Sequence, residues 1–324
     1  MAPTRVSPPP DSFSVPDHLT AEQLASYNTN GYLIIPNTLS PATISSLLSE
    51  THHMLSSFSL ADHPMTKFST GETSHVGDSY FLTSSSKIHF FFEEAAFSPH
   101  TGALTKAKHL AINKIGHYLH ELSPPFKKAT FTPLHASIAR MLGFQDPRVL
   151  QSMIICKQPE IGGAVRPHQD STFLYTNPPS AVGFWIALED ATEENGCLSF
   201  ARGSHKRAPV KSRLVRKEGG GTGFEDVEGA RFPAGMEVGK DEEAEEEEVE
   251  GGEEVYELGE VKSGSLVLIH GNLLHKSEKN TSGKSRFIYT FHCIEGANEY
   301  EYDEKNWLQP PEDKGFSRLF ESLS

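Results

Sequence analysis

His168-Gln169-Asp170 is the stretch whose residue types and spacing could do chemistry. Alternate residues of an extended strand point to one face, so an imidazole and a carboxylate two positions apart can aim at one point. About a hundred residues later, in LVLIHGNLLHKSEKNTSGKSRFIYTFH, His275 offers a second imidazole. Two His and one carboxylate on converging strands would make the facial set that holds non-haem Fe(II) with coordination positions left open. Three protein ligands and an open position also describe catalytic zinc, so a zinc-dependent hydrolase of cupin-like shape stands as an alternative. His-x-Asp alone is weak evidence in a chain with 16 His. Pro167 and the loop Ile161-Gly162-Gly163 strengthen it, because such a loop is expected where a strand meets a cavity mouth.

Arg286 follows His275 by eleven residues and starts RFIYTFH. On a strand it shares one face with Ile288 and Thr290, while Phe287, Tyr289 and Phe291 share the other. An arginine pointing inward needs an anion, since a buried unpaired charge is very costly. No run of acids lies beside it, and a dicarboxylate gripped bidentately would meet the need. Other polar candidates carry plainer readings. His270 lies five residues before His275, an odd number that turns it to the opposite face. His205 and His292 are likewise set aside as ligands. His52 and His53 are adjacent on an expected helix and diverge by about 100°, which suits surface or capping roles. Lys114, between Ile112 and Ile115, has the pattern of a solvated lysine snorkelling past apolar neighbours.

The elements that must position these groups change character along the chain. Thr20 and Gln23 form a capping-box pattern for a short helix through Ala25, ended by Gly31. YLIIP follows as a strand, and Ser40-Pro41 opens a second helix. In Tyr80–Phe97, strand alternation turns Phe90 and Phe92 one way and Phe91 the other, for core packing or for lining a cavity. Two further helices are expected around Leu104–Leu122 and Pro133–Leu142. From Val149 onward the segments VLQSMIICKQP, STFLYT, VGFWIALED, GCLSF, SLVLIHG and RFIYTFHCI read as strands bounded by turn residues. Helices followed by such a run give an α+β chain with an antiparallel sandwich or barrel at its centre.

Residues 1–17 read as a disordered Pro/Ser-rich tail and 18–324 as a single domain. Within that domain, Lys217–Glu260 reads as a disordered or weakly ordered Gly/Glu-rich insertion, too poor in apolar residues to offset ordering. Net charge is −14, which would repel nucleic acid and anionic membranes. Ten of the acids lie in Asp241–Glu254, so the charge describes one segment more than the whole surface. No apolar run is long enough for a transmembrane helix. Cys156, Cys197 and Cys293 lack framework spacing and read as reduced core thiols, which fits a cytoplasmic compartment. The expected partner is a small-molecule substrate.

INKIGH, QSMIICKQP, PHQDSTFLYT, WIALEDATEENGCLSF, GSH, LIHG, HKS…SRFIYTFH and NWLQP together carry a resemblance. The sequence resembles the phytanoyl-CoA dioxygenase family of Fe(II)- and 2-oxoglutarate-dependent oxygenases, from about Thr20 to Pro310. Its nearest likeness is to the domain-containing-protein branch of that family. The resemblance implies a double-stranded β-helix core (jelly-roll, cupin-like) flanked by N-terminal helices, with iron on His168, Asp170 and His275. It implies that Arg286 holds the distal carboxylate of the cosubstrate 2-oxoglutarate, and that Lys114, Met153 and Trp185 line that site, with Ser285 adjoining. Lys114 would then be buried, against its surface pattern. The implied reaction uses O2 and converts 2-oxoglutarate to succinate and CO2 while hydroxylating an aliphatic carbon of a small-molecule or acyl substrate. A non-catalytic 2-oxoglutarate- or metal-binding module is the alternative from another class. The insertion exceeds the family's corresponding loop, and nothing is carried onto it.

Overall fold

A computed structural model describes residues 15–68, 77–230, 254–297 and 299–320. Most of the expected tail, residues 1–14, and the acidic run Asp241–Glu253 lie outside the described residues. The strands are β1 (Tyr32–Ile35), β2 (Ile88–Phe92), β3 (Ile112–His117), β4 (Pro147–Ile155), β5 (Val165–His168), β6 (Val182–Ala187) and β7 (Leu198–Phe200). They continue with β8 (Val210–Arg216), β9 (Thr222–Ala230), β10 (Glu257–Gly259), β11 (Leu266–His270), β12 (His275–Ser277), β13 (Ile288–Glu295) and β14 (Ser317–Arg318). The helices are α1 (Ala21–Asn30), α2 (Pro41–Ser57), α3 (Ser79–Leu82), α4 (Leu119–Leu122), α5 (Pro124–Thr130), α6 (Pro133–Met141), α7 (Asp170–Phe173) and α8 (Ser204–Arg207). Among the described residues none of them is long and apolar enough to cross a membrane.

Two antiparallel sheets and a separate β8–β9 pair organise the described residues. The larger has the order β1-β11-β6-β13-β4-β3-β2, with β14 on β4; the smaller has the order β10-β7-β12-β5. Side-chain alternation along β6, β11 and β13 divides the apolar residues between two cores. Val182, Phe184, Ile186, Leu266, Leu268, Tyr289 and Phe291 pack outward against α1, α2, α5 and α6. Trp185, Ala187, Val267, Ile269 and Ile288 pack inward with Leu198 and Phe200 of the smaller sheet. One face of the larger sheet is therefore covered by helices and the other by the smaller sheet, the two-layer burial that makes strands apolar on both sides.

The helix starts follow local chemistry. Thr20 and Gln23 complete the capping box of α1, which runs on to Asn30 rather than stopping at Ala25 before Gly31 closes it at φ 81°. Ser40 caps α2 with Pro41 at its first turn, and Thr132 caps α6. His52 and His53 are exposed on α2. Phe92 and Phe90 join the outer core and Phe91 a separate aromatic cluster, as alternation requires.

Three expectations need correction. The segment Leu104–Leu122 is not one helix: only Leu119–Leu122 is α-helical, as α4, and INKIGH forms β3, hydrogen-bonded on both sides by β2 and β4. Ile112 and Ile115 mimic a helical stripe, but Gly116 disfavours a helix and lets Met153 of β4 come close, where a Cβ would meet it at 3.1 Å. STFLYT is not a strand: the chain turns into α7 directly at Asp170, with the Ser171 amide donating to Gly271 and that of Leu174 to Asp170. Lys217–Glu260 is not wholly irregular, since β9 pairs with β8 and β10 with β7. The three cysteines are free and buried.

Candidate metal centre

The smaller sheet brings His168 and His275 together. His168 ends β5, His275 begins β12, and the two residues are direct partners across that antiparallel pair, with ring centroids 4.2 Å apart. Gln169 is extended, so Asp170 returns to the face of His168 as the first residue of α7. The intervening Gln169 side chain donates to the carbonyls of Ala208 (2.8 Å) and Asn272 (2.7 Å). It thereby ties the His168–Asp170 segment to the loop that delivers His275. His168, Asp170 and His275 each offer a ligand atom within 4.8 Å of the others.

Both imidazoles are held in the form a metal needs. Nδ1 of His168 lies 2.9 Å from the Arg166 carbonyl and Nδ1 of His275 lies 3.0 Å from the Leu273 carbonyl. A carbonyl only accepts, so each Nδ1 carries a hydrogen, which is the tautomer that leaves the Nε2 lone pair of a neutral ring for a metal. Those Nε2 atoms face Oδ1 of Asp170 at 3.6 and 3.8 Å. Burial, with His168 nearby, pushes His275 down to about 4, so it is neutral at physiological pH. Burial opposes ionisation of Asp170, yet His275, His292 and His168 outweigh it and hold the carboxyl well below its usual range. Two imidazoles with Nδ1 bound to backbone and an ionised carboxylate fit a divalent non-haem iron centre.

The inner face of the larger sheet carries the other expected residues. Thr290 of β13 is flanked in register by Met153 of β4 and Trp185 of β6, and Met153 in turn by Gly116 of β3. Lys114 is buried, not solvated: its Nζ lies 3.7 Å from Met153 Sδ and 3.4 Å from the Phe68 ring centroid. Burial pushes that amine down to about 7, with Glu93 opposing. Arg286 is only 2% exposed, 5.5 Å from the Trp185 ring, and donates from Nη1 to the Gly196 carbonyl at 2.5 Å. Its Nε has no hydrogen-bond partner among the described residues. A guanidinium buried with a donor unused is what a carboxylate ligand would satisfy. Ser285 is turned elsewhere, donating to Glu189 at 2.8 Å.

Sequence reasoning set His292 aside as a ligand without placing it beside the site, and missed Lys157. His292 lies 3.3 Å from the other oxygen of Asp170. The signal was its even spacing from Arg286 on β13. Lys157 is buried, bonded to Gly163 and Ser277 at 3.1 and 2.8 Å, and pushed down to about 7 by burial and Arg286. Nothing in its local pattern announces burial. His270 accepts from the Asn272 amide at 3.0 Å and packs against His205, outside the triad.

Comparison with known proteins agrees with this geometry. The sequence model described as "Phytanoyl-CoA dioxygenase (PhyH)" matches residues 27–288. A phytanoyl-CoA dioxygenase domain-containing protein 1 homolog of Caenorhabditis briggsae is 42% identical over 91% of this chain and 97% of its own. The Arabidopsis thaliana phytanoyl-CoA dioxygenase is 41% identical over 90% and 94%. Among solved structures, EctD from S. alaskensis with bound Fe has a TM-score of 0.56 at 18% identity, covering 90% of this chain and 83% of that one. The epimerase SnoN in complex with Fe3+, alpha ketoglutarate and nogalamycin RO has a TM-score of 0.57 at 15% identity, covering 92% and 97%. At such identity the two share the fold. The match over most of its length shows that the chain belongs to the phytanoyl-CoA dioxygenase family.

Proposed function

We propose that this chain is an Fe(II)- and 2-oxoglutarate-dependent dioxygenase built on a double-stranded β-helix, hydroxylating an aliphatic carbon of a small-molecule or acyl substrate. The observation that carries it is the triad with both Nδ1 atoms committed to backbone carbonyls and both Nε2 atoms facing one carboxylate oxygen. Bound iron would supply O2 activation coupled to the oxidative decarboxylation of 2-oxoglutarate to succinate and CO2. His168, Asp170 and His275 would hold the metal and leave coordination positions open. Arg286 would take the distal carboxylate, where its unused Nε and planar fork give two-point recognition. Trp185 and Met153 would wall the cosubstrate, Lys114 would add a cation, and Ser285 would adjoin Arg286. The burial of Trp185, Met153 and Lys114 on one face would keep water from the reacting centre.

Succinate formation tests the reading. Protein loaded with Fe(II) should convert 2-oxoglutarate to succinate only with O2, faster when a metabolite library contains the substrate. Zinc-supported hydrolysis without O2 would point to the hydrolase. Tight 2-oxoglutarate binding with no succinate under any substrate would point to a binding module.

A further inference from the structure

The two oxygens of Asp170 face different partners. Oδ1 faces the two ligand histidines, whereas Oδ2 lies 3.3 Å from Nε2 of His292. His292 is buried on the inner face of β13, and its register partners are Gln151 of β4 and Gly183 of β6. Gln151 Nε2 lies 3.5 Å from Nδ1 of His292. An amide nitrogen only donates, so Nδ1 accepts and Nε2 carries the hydrogen toward Asp170. The reverse amide orientation would put the hydrogen on Nδ1 and aim an Nε2 lone pair at a carboxylate oxygen. Gly183 supplies the space: a Cβ there would lie 3.3 Å from Oδ2 and 3.4 Å from His292 Nε2.

We propose that His292 is a positioning residue of the metal centre, donating from Nε2 to Oδ2 of Asp170 and so presenting the carboxylate to the metal through Oδ1 alone. Gln151 sets the His292 tautomer, and Gly183 admits the contact. The proposal rests on reading the triad as a metal site. With Oδ2 engaged, the carboxylate cannot swing round to chelate with both oxygens, which would close a position that a cosubstrate or O2 needs. The arrangement is the carboxylate counterpart of the partners that orient metal-bound histidines.

Co(II) titration at fixed pH tests this without turnover, reading the dissociation constant and the visible absorption of the bound ion. Phe in His292→Phe keeps the ring and loses the donor, so Co(II) affinity should fall roughly 10- to 100-fold, the usual effect of losing such a partner. Its absorption should also weaken, as a carboxylate binding through both oxygens raises the coordination number. Gln in His292→Gln places an amide nitrogen near the position of Nε2 and should restore affinity and spectrum to near wild type. Gly183→Ala, with His292 intact, should weaken binding in the same direction as Phe. Melting of the metal-free variants checks that each is folded. A folded His292→Phe with wild-type affinity and spectrum would overturn the proposal. So would folded Phe and Gln variants impaired equally, because ring shape and not the donor would then matter. A wild type that binds no Co(II) would overturn this role and the metal reading together.

Discussion

Arg286 is the residue whose role is easiest to separate from folding. Lysine at 286 keeps a positive charge but loses the planar two-point grip. Losing one charge-assisted hydrogen bond, about 1.5–3 kcal/mol, corresponds to a rise of roughly tenfold or more in the apparent KM for 2-oxoglutarate. Initial rates against 2-oxoglutarate in Arg286→Lys decide it, and an unchanged KM would remove Arg286 from the cosubstrate site. The ligand assignment has its own test in the metal content of purified variants. His275→Ala and Asp170→Ala should lose iron and turnover, whereas His270→Ala should retain iron, because its imidazole serves the Asn272 amide. Equal loss in His270→Ala would mean the third ligand is misassigned. Lys114 makes a pH prediction. Its pKa falls from 10.5 to about 7 on folding, because burial disfavours the ammonium form. Between those values the unfolded chain holds a proton that the folded chain lacks, so stability rises with pH across that window by up to about 1.4 kcal/mol per pH unit. Below about pH 7 the penalty is fully present. Urea midpoints of the metal-free protein should therefore climb from pH 7.5 to 9.5, and Lys114→Met should flatten part of that climb. A slope identical to wild type would show that the amine is not charged less on folding.

At the scale of elements, the strands β9 and β10 inside the Gly/Glu-rich region change what its removal should do. Excising 217–260 takes away β9, which covers β8, and β10, the outer partner of β7. The melting temperature should drop, by about 2–4 °C for each kcal/mol lost in domains of roughly 200 residues. An unchanged melting temperature would mean that both pairings contribute nothing. Composition concealed these strands because glycines and acids dilute them, and pairing comes from partners distant in sequence. The same cause hid β3. Its isoleucine spacing fits a helix as well as a strand, and only the ladders from β2 and β4 decide between them. By contrast, the alternation in RFIYTFH was legible, because one face is uniformly aromatic and the other mixed. It placed Arg286 inward before any partner strand was known. The His168–Asp170 half of the triad was legible for a similar reason: the two are two positions apart, and a local rule suffices, whereas His275 arrives through the β5–β12 pairing. Lys157 was not legible, since its burial depends on Gly163, Gly196 and Ser277 arriving from three other segments. Family resemblance, not pattern, revealed that Lys114 is buried.

Across the whole molecule the labour divides between sheets. The smaller sheet and the turn after β5 bear the three ligand residues, while the larger sheet bears Trp185, Met153 and Lys114 on its inner face and Arg286 just ahead of β13. The smaller sheet ends at β5, which among the described residues is an edge strand paired only with β12. Its tie to β12 includes the His168–His275 pair, so a metal held by those two side chains would act as a clasp across the ladder. Peeling β5 away would then require releasing the metal, and the free energy of that local opening should grow with metal occupancy. At a free metal concentration 100 times the Kd the gain is about 2.7 kcal/mol, or roughly a hundredfold slower amide exchange through that opening. Exchange followed by mass spectrometry should show this slowing in the peptide covering 165–170, with α2 on the far side of the larger sheet little changed. Equal protection of β5 with and without metal would mean that the strand is already locked, and that the clasp adds nothing to its order.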